Sequence, residues 1–280
     1  MRASTGCRLL VRRMSTVRVG RPRTALVAGL AILALAVPAL AQADPYTPSS
    51  SGYDTSYPEC TAGSAPSSPS FAIIGVSHGR PFTSNTCAAA EWTLATSDGA
   101  SLLSLYFNTG YAGAYQKDVT SGCAAASGGI QTGASGHQNS ALQTAWAIGC
   151  SEAADAVAAA PGTPAVWWAD IETGNSWSTN TALNQFAING IVAELASTGI
   201  PVGVYSSPSM WNKIVGTGYV NPGIAADWQT GLSVCPSSPS TAGFTLASPG
   251  TPAPLWLAQT GTTTITTGGV TTSYDADAAC

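Results

Sequence analysis

AVWWADIETGNSW, residues 165–177, is the stretch whose reading decides the fold. A short apolar and aromatic run leads directly into two carboxylates spaced Asp-x-Glu. Taken as a strand over residues 165–172, the run alternates its side chains between two faces. Val166, Trp168, Asp170 and Glu172 then share one face. Two like charges at the end of a buried strand resist ionising together, so one carboxyl is pushed to hold its proton. An acid beside a carboxylate is the pairing used to cleave glycosidic bonds. Two solvated acids in a strand-to-helix loop, one capping the next helix, would give the same short motif.

Outward from this stretch the chain alternates strand and helix patterns. Residues 71–77 (FAIIGVS) read as a buried strand. Residues 88–95 carry Trp92 on a helix ended by Ser97-Asp98-Gly99, and residues 100–107 (ASLLSLYF) form the next strand. Ser140 can cap a helix running to Ala160, with Leu142, Trp146, Gly149, Ala153 and Val157 on one stripe, stopped by Pro161-Gly162. Residues 181–197 give the clearest helix, its apolar face made by Leu183, Phe186, Ala187, Ile191 and Leu195. Strands follow at residues 201–205 (PVGVY), 224–228 and 254–259 (PLWLAQ). Near-continuously apolar strands between helices indicate a parallel sheet covered on both faces. A closed eight-fold barrel and an open doubly wound sheet both fit. No GxGxxG follows a strand, so a dinucleotide site is unsupported. The expected class is α/β: a single (β/α)8-type, TIM-like barrel, with room for an incomplete or irregular form, stapled by disulfides.

The N-terminus reads as an export signal. Arg2, Arg8, Arg12, Arg13, Arg18, Arg21 and Arg23 precede an apolar stretch at residues 25–40, and Ala41-Gln42-Ala43 forms an A-x-A site. Cleavage is expected after Ala43, with Met1 or Met14 as the start. The expected organisation is a signal peptide at 1–43, a short polar leader at 44–51 and one barrel domain at 52–280. The 237 residues after the signal suit a barrel of about 250. The protein is expected to be secreted, monomeric and not membrane-inserted after cleavage.

Beyond Ala43 the only cations are Arg80, Lys117 and Lys213, against fourteen acids, a formal charge of −11. Such a surface repels phosphate backbones and excludes a nucleic-acid partner. Six cysteines follow the signal: Cys60, Cys87, Cys123, Cys150, Cys235 and Cys280. An even count in an exported chain points to disulfides, with fifteen connectivities open. There is no CxxC, and the only histidines are His78 and His137, so neither a metal nor another cofactor is expected.

In a parallel barrel, functional residues sit at the C-terminal strand ends. The candidate acids fall there: Asp54 in GYDTSYPEC (52–60), Asp170 and Glu172, and Asp275 and Asp277 in SYDADAAC (273–280). First and last strands meet in a barrel, so acids far apart in sequence can share one pocket. Trp177, Tyr57, Tyr106 and Trp211 are candidate sugar-stacking groups. His78 is a candidate pocket group.

In this order the segments resemble the glycoside hydrolase family 25 lysozymes, specifically a divergent group of secreted actinobacterial proteins. GYDTSYPEC resembles that family's first strand with its Asp, and FAIIGVSHGRPFTSN (71–85) its second strand and loop. VWWADIETG (166–174) matches the strand bearing the Asp-x-Glu pair, and PVGVYSSPSMW (201–211) a strand ending in Tyr. PLWLAQTG (254–261) and SYDADAA (273–279) resemble the closing strand and final Asp. The resemblance implies cleavage of the β-1,4 bond between N-acetylmuramic acid and N-acetylglucosamine in peptidoglycan, without a metal. It implies Glu172 as general acid and Asp170 as the residue that tunes it. Asp54 and Asp275 complete the cluster. Asp277, where the family often has Asn, falls among the substrate-binding groups. The chain departs from the family at His78-Gly79-Arg80 and at Thr260. A catalytically inert barrel that binds cell-wall glycan or a surface partner is the alternative.

Pairing by neighbours is the expected disulfide scheme. Cys60–Cys87 would join the loops after the first two strands. Cys123–Cys150 would tie the Gly/Ser-rich loop 121–136 to the following helix, and Cys235–Cys280 would fasten the tail carrying Asp275.

Overall fold

The structure, a computed structural model, describes residues 42–60, 62–133 and 138–280. These belong to one compact unit, Ala39–Cys280. Residues 1–41 of the expected signal, and His137, lie outside the described residues.

Ten strands occur among the described residues: β1 (Ser51–Thr55), β2 (Phe71–Gly75), β3 (Leu102–Asn108), β4 (Trp167–Asp170), β5 (Val202–Ser206), β6 (Ala226–Gln229), β7 (Leu246–Ser248), β8 (Thr251–Pro252), β9 (Leu255–Thr267) and β10 (Val270–Ala279). Strands β7 and β8 form a small separate ribbon. The other eight close a barrel in the order β1-β10-β9-β6-β5-β4-β3-β2. Five α-helices surround it: α1 (Ala88–Ser97), α2 (Ser121–Ser127), α3 (Ser140–Ala158), α4 (Thr181–Ala196) and α5 (Pro208–Val215).

The barrel is mixed rather than all-parallel. Pairs from β1 through β6, and β6 with β9, are parallel. Strand β10 runs antiparallel to both of its neighbours, β1 and β9. Gly268-Gly269, both at positive φ, turn the chain directly from β9 into β10. A two-residue turn has no room for a crossover helix, so the returning strand must be antiparallel.

Period-two alternation divides the core into two layers. Phe71, Ile73, Val166, Trp168, Trp228 and Leu257 pack inside the barrel. Ile74, Leu105, Trp167, Ala169 and Val204 face outward beneath Ile188, Ile191 and Leu195 of α4. The Asp-x-Glu strand follows the expected pattern, but its ladder ends at Asp170 and Glu172 begins the loop. Residues 44–50 are more than a polar leader. Tyr46 is 4% exposed and enters the barrel beside Phe71. Its hydroxyl bonds Ser104 Oγ at 2.6 Å and accepts Trp168 Nε1–H at 3.0 Å.

Helix starts follow capping chemistry. Asn139, not Ser140, caps α3, its side chain accepting from the Ala141 and Leu142 amides. Asn180 caps α4, and Ser207 caps α5 ahead of Pro208. The segment 121–136, expected as a loop, contains α2. Cysteines pair as Cys60–Cys87, Cys123–Cys150 and Cys235–Cys280, with Cα separations of 5.4, 5.7 and 5.3 Å. The first staples the 3-10 turn Tyr57–Glu59 after β1 to the start of α1. The second joins α2 to α3.

Helices α3 and α4 touch backbone to backbone. A methyl on Gly149 would fall inside the van der Waals shell of the Ala187 carbonyl, and one on Gly190 inside that of the Trp146 carbonyl. Gly149→Ala should therefore force the helices apart and cost about 2–3 kcal/mol, the upper range for overpacking. Thermal unfolding of the variant beside Gly113→Ala checks this, since Gly113 has open space around it. Equal melting temperatures would show that the helix pair yields without cost.

Candidate active site

The C-terminal ends of β1 and β4, with the middle of the antiparallel β10, bring carboxyls from three separate parts of the chain to one mouth. Asp54 of β1 lies directly opposite Asp275 of β10, so both point to the same side of the sheet. Asp277 lies one pleat deeper, opposite Gly52 on one side and Gln259 on the other. Asp170 ends β4 between Asn108 of β3 and Tyr205 of β5. Glu172 follows two residues later.

Burial, and then the neighbouring Asp54 charge, hold Asp277 well above the usual carboxylate range. Gln259 Nε2 donates to Asp54 Oδ2 at 3.1 Å. The same amide is oriented by Tyr205 and Thr230 hydroxyls, each 2.8 Å from Gln259 Oε1. Burial and the charge of Asp275 push Asp54 up to about 7. Asp277 is 2% exposed and accepts Trp228 Nε1–H at 2.8 Å. It lies buried one pleat beneath Asp54.

Asp170 is 3% exposed, and Asn108 Nδ2 donates to its Oδ2. Asn108 is held by Ser77, whose Oγ donates to Asn108 Oδ1 and accepts from Asn108 N, both at 2.8 Å. Burial, then the neighbouring Glu172 charge, raises Asp170 well above the usual carboxylate range. Glu172 is also raised, by partial burial and then by Asp275. After burial, the carboxylate that disfavours ionisation of Glu172 is Asp275 across the mouth. Asp275 is half-buried and only modestly raised by burial, so it ionises most readily of the four aspartates.

The backbone of Glu172 is pinned. Its carbonyl accepts Trp177 Nε1–H at 2.8 Å and Asn175 N–H at 3.1 Å. Trp177 therefore positions the acid loop, with its ring packed partly into the outer core. Tyr106 stands inside the barrel near Asp54 and Asp170, its ring 6.1 Å from that of Trp228. Trp211 does not belong to the mouth. It is 3% exposed on α5, packed between Tyr219 and Phe244 in the outer layer. Tyr57 and His78 are exposed and stacked, with ring centroids 3.9 Å apart at the ends of β1 and β2.

An open groove of about 440 Å³ leads from Asp275 and Gln259 along Thr230–Ser233 and Thr260–Thr262. Thr262, Thr264 and Thr266 on β9 pair with Asp275, Ser273 and Thr271 on β10. Those five hydroxyl side chains are exposed and share the face of Asp275. Asn108, Ser77, Tyr205 and Gln259 were absent from the expected set. The signal for Asn108 and Gln259 was present: each is a polar residue closing an apolar strand, as Asp170 does. Among the described residues, Cys123, Cys150 and Glu194 have metal-ligand spacing, but both thiols are in a disulfide.

Residues 109–226 match the family described as Lysozyme-like protein 1. No curated protein sequence matches the chain. The bacterial lysozyme from Streptomyces coelicolor superposes with a TM-score of 0.50 at 16% identity, over 84% of this chain and 93% of that one. A family 25 glycosyl hydrolase from Bacillus anthracis gives 0.49 at 12% identity, over 85% and 91%. A GH25 lysozyme from Aspergillus fumigatus gives 0.49 at 14%, over 83% and 94%. At such identities the likeness is one of fold. The Streptomyces superposition shows a shared barrel fold, and the segment matching the lysozyme-like family model carries the Asp-x-Glu strand.

Proposed function

We propose that the protein is an exported glycosidase that cleaves β-1,4 bonds in peptidoglycan glycan strands. The observation that carries this reading is the meeting of Asp54, Asp170, Glu172 and Asp275 at the barrel mouth, with Glu172 and Asp275 the least buried. Glu172 acts as general acid. Its proton passes to the glycosidic oxygen as the bond to the anomeric carbon breaks. The carbonyl oxygen of the sugar's 2-acetamido group forms a bond to that carbon from the opposite face. Ionised Asp275 steadies the positive charge that develops on the acetamido ring. Glu172, now a carboxylate, takes a proton from water as the water opens that ring, and configuration at the anomeric carbon is retained. Asp170 and Asp54 hold protons and fix the geometry from below. The Tyr57–His78 stack and the hydroxyl face of the β9–β10 hairpin suit an uncharged polar polymer. Three disulfides and −11 of charge fit a monomer working outside the cell.

Purified peptidoglycan treated with the wild-type protein should release reducing ends, and NMR of the fresh product should show the β anomer. Inverted product would replace the acetamido route with a carboxylate-activated water. Glycan binding without any release of reducing ends would make the protein an inert glycan-binding barrel.

A further inference from the structure

Glu152 lies in the middle of α3, is 2% exposed and forms no ion pair among the described residues. Its Oε2 accepts Gly110 N–H at 3.2 Å, while Oε1 is buried with no hydrogen-bond partner. A carboxylate left so would be under-satisfied in a low-dielectric interior. A carboxylic acid would not, because Oε1–H is a donor. A cavity of about 10 Å³ adjoins it, lined by Ser77, Thr83, Asn108 and Glu152 among others, and that size admits one water. Asp155 lines the same cavity from the next turn of α3, and Asp118 lies close to Asp155.

The segment that Glu152 grips is the one that grips Asp170. Asn108 donates to the Asp170 side chain. Thr109 donates to the Asp170 carbonyl twice, from N at 3.1 Å and Oγ1 at 2.6 Å. Gly110 binds Glu152, and Tyr111 N–H reaches the Ser176 carbonyl at 2.6 Å in the loop after Glu172. Gly110 has no Cβ because one there would press on Ser176 O. Four consecutive residues thus span from α3 to the acid strand and its loop.

We propose that Glu152, as a neutral acid, is a positioning residue for the Asp170–Glu172 pair. It accepts Gly110 N–H on one oxygen and donates from the other into the cavity shared with Ser77 and Asn108. This rests on the glycosidase reading only for its purpose; the coupling itself is a property of the fold. Burial also favours the neutral form.

The test uses carboxyl ¹³C NMR titration and amide hydrogen exchange on the whole protein, neither of which needs turnover. In the wild type the Glu152 carboxyl should stay protonated through pH 7. Glu152→Gln can accept and donate in the same places, and should leave the Asp170 and Glu172 midpoints and Gly110 exchange unchanged. Glu152→Leu should move those midpoints by roughly half a pH unit and speed Thr109 and Gly110 exchange about tenfold or more. A folded Leu variant with wild-type titrations would overturn the proposal, as would a Gln variant as disturbed as Leu. Should the Leu variant fail to fold, an ionised Glu152 at pH 6 in the wild type would overturn it equally, and a protonated one with an undisturbed Gln variant would support it. Absence of peptidoglycan hydrolysis would sink the glycosidase reading and leave these readouts standing.

Discussion

Glu172→Gln will lose roughly 10²–10⁴-fold in the rate of peptidoglycan cleavage, the usual loss when a general acid is removed. Binding of glycan strands will survive. The amide keeps the size of the side chain, and the loop is held by backbone bonds from the Glu172 carbonyl to Trp177 and Asn175, which the substitution does not touch. Asp275→Asn should also slow the reaction, but differently. It removes the carboxylate that disfavours ionisation of Glu172, so the alkaline limb of the pH–rate profile should move to lower pH. Burial and the Glu172 charge favour the neutral form of Asp170, so Asp170→Asn should have the smallest effect of the three. Initial rates against pH for the three variants, with glycan pull-down alongside, measure this. Were Asp170→Asn as damaging as Glu172→Gln, Asp170 would be acting as an ionised group.

Stability should rise on mild acidification, by roughly 2–4 kcal/mol between pH 8 and pH 5.5. Asp54 and Asp227 are both pushed up to about 7, chiefly by burial. Their value in the unfolded chain is near the ordinary 3.8. Between those limits the native state binds more protons than the unfolded one, so the stability these two groups contribute falls as pH rises and levels off above about 7. Each pH unit inside the window changes stability by about 1.4 kcal/mol per group. The physical root is the shortage of cations. Among the described residues the ion pair present is Lys117–Asp118, on the surface, so buried acids are neutralised by protons. Melting temperature should climb by about 5–10 °C over that range. Asp227→Asn should flatten part of the slope, because Asp227 Oδ2 accepts the Phe244 and Thr245 amides and an amide oxygen can replace it. A melting temperature that falls steadily from pH 8 to 5.5 would contradict the assignment.

Much of the barrel was readable because its strands are short, apolar and separated by helices of clear period. FAIIG, WWAD and the helix at Thr181–Ala196 announce themselves. Strand β10 did not. Threonine-rich alternation carries little hydrophobic signal, and periodicity says nothing about strand direction. Asp275 and Asp277 share a face by spacing alone, but depth along the strand depends on register. Only pairing with β1 and β9 shows that Asp277 lies one pleat deeper than Asp275. Trp211 misled for a related reason: an aromatic after a strand can open onto the mouth or turn beneath the helices. Glu152 was hidden because α3 is buried on most of its circumference from Ala145 to Ala153, which breaks the usual inference from a stripe.

The antiparallel β10 has a consequence for the order of events in a chain made from the N-terminus. Until it emerges, β1 and β9 present open edges, and Asp54 has neither Asp275 opposite it nor Asp277 beneath it. The contacts that complete the mouth join residues 205 positions apart, as Gln259 to Asp54. Ring closure and assembly of the acid cluster are therefore one late event. A nascent chain that still lacks β10 has neither a finished barrel nor a complete set of acids. The Cys235–Cys280 bond can then form only after that closure, as a latch on the finished ring.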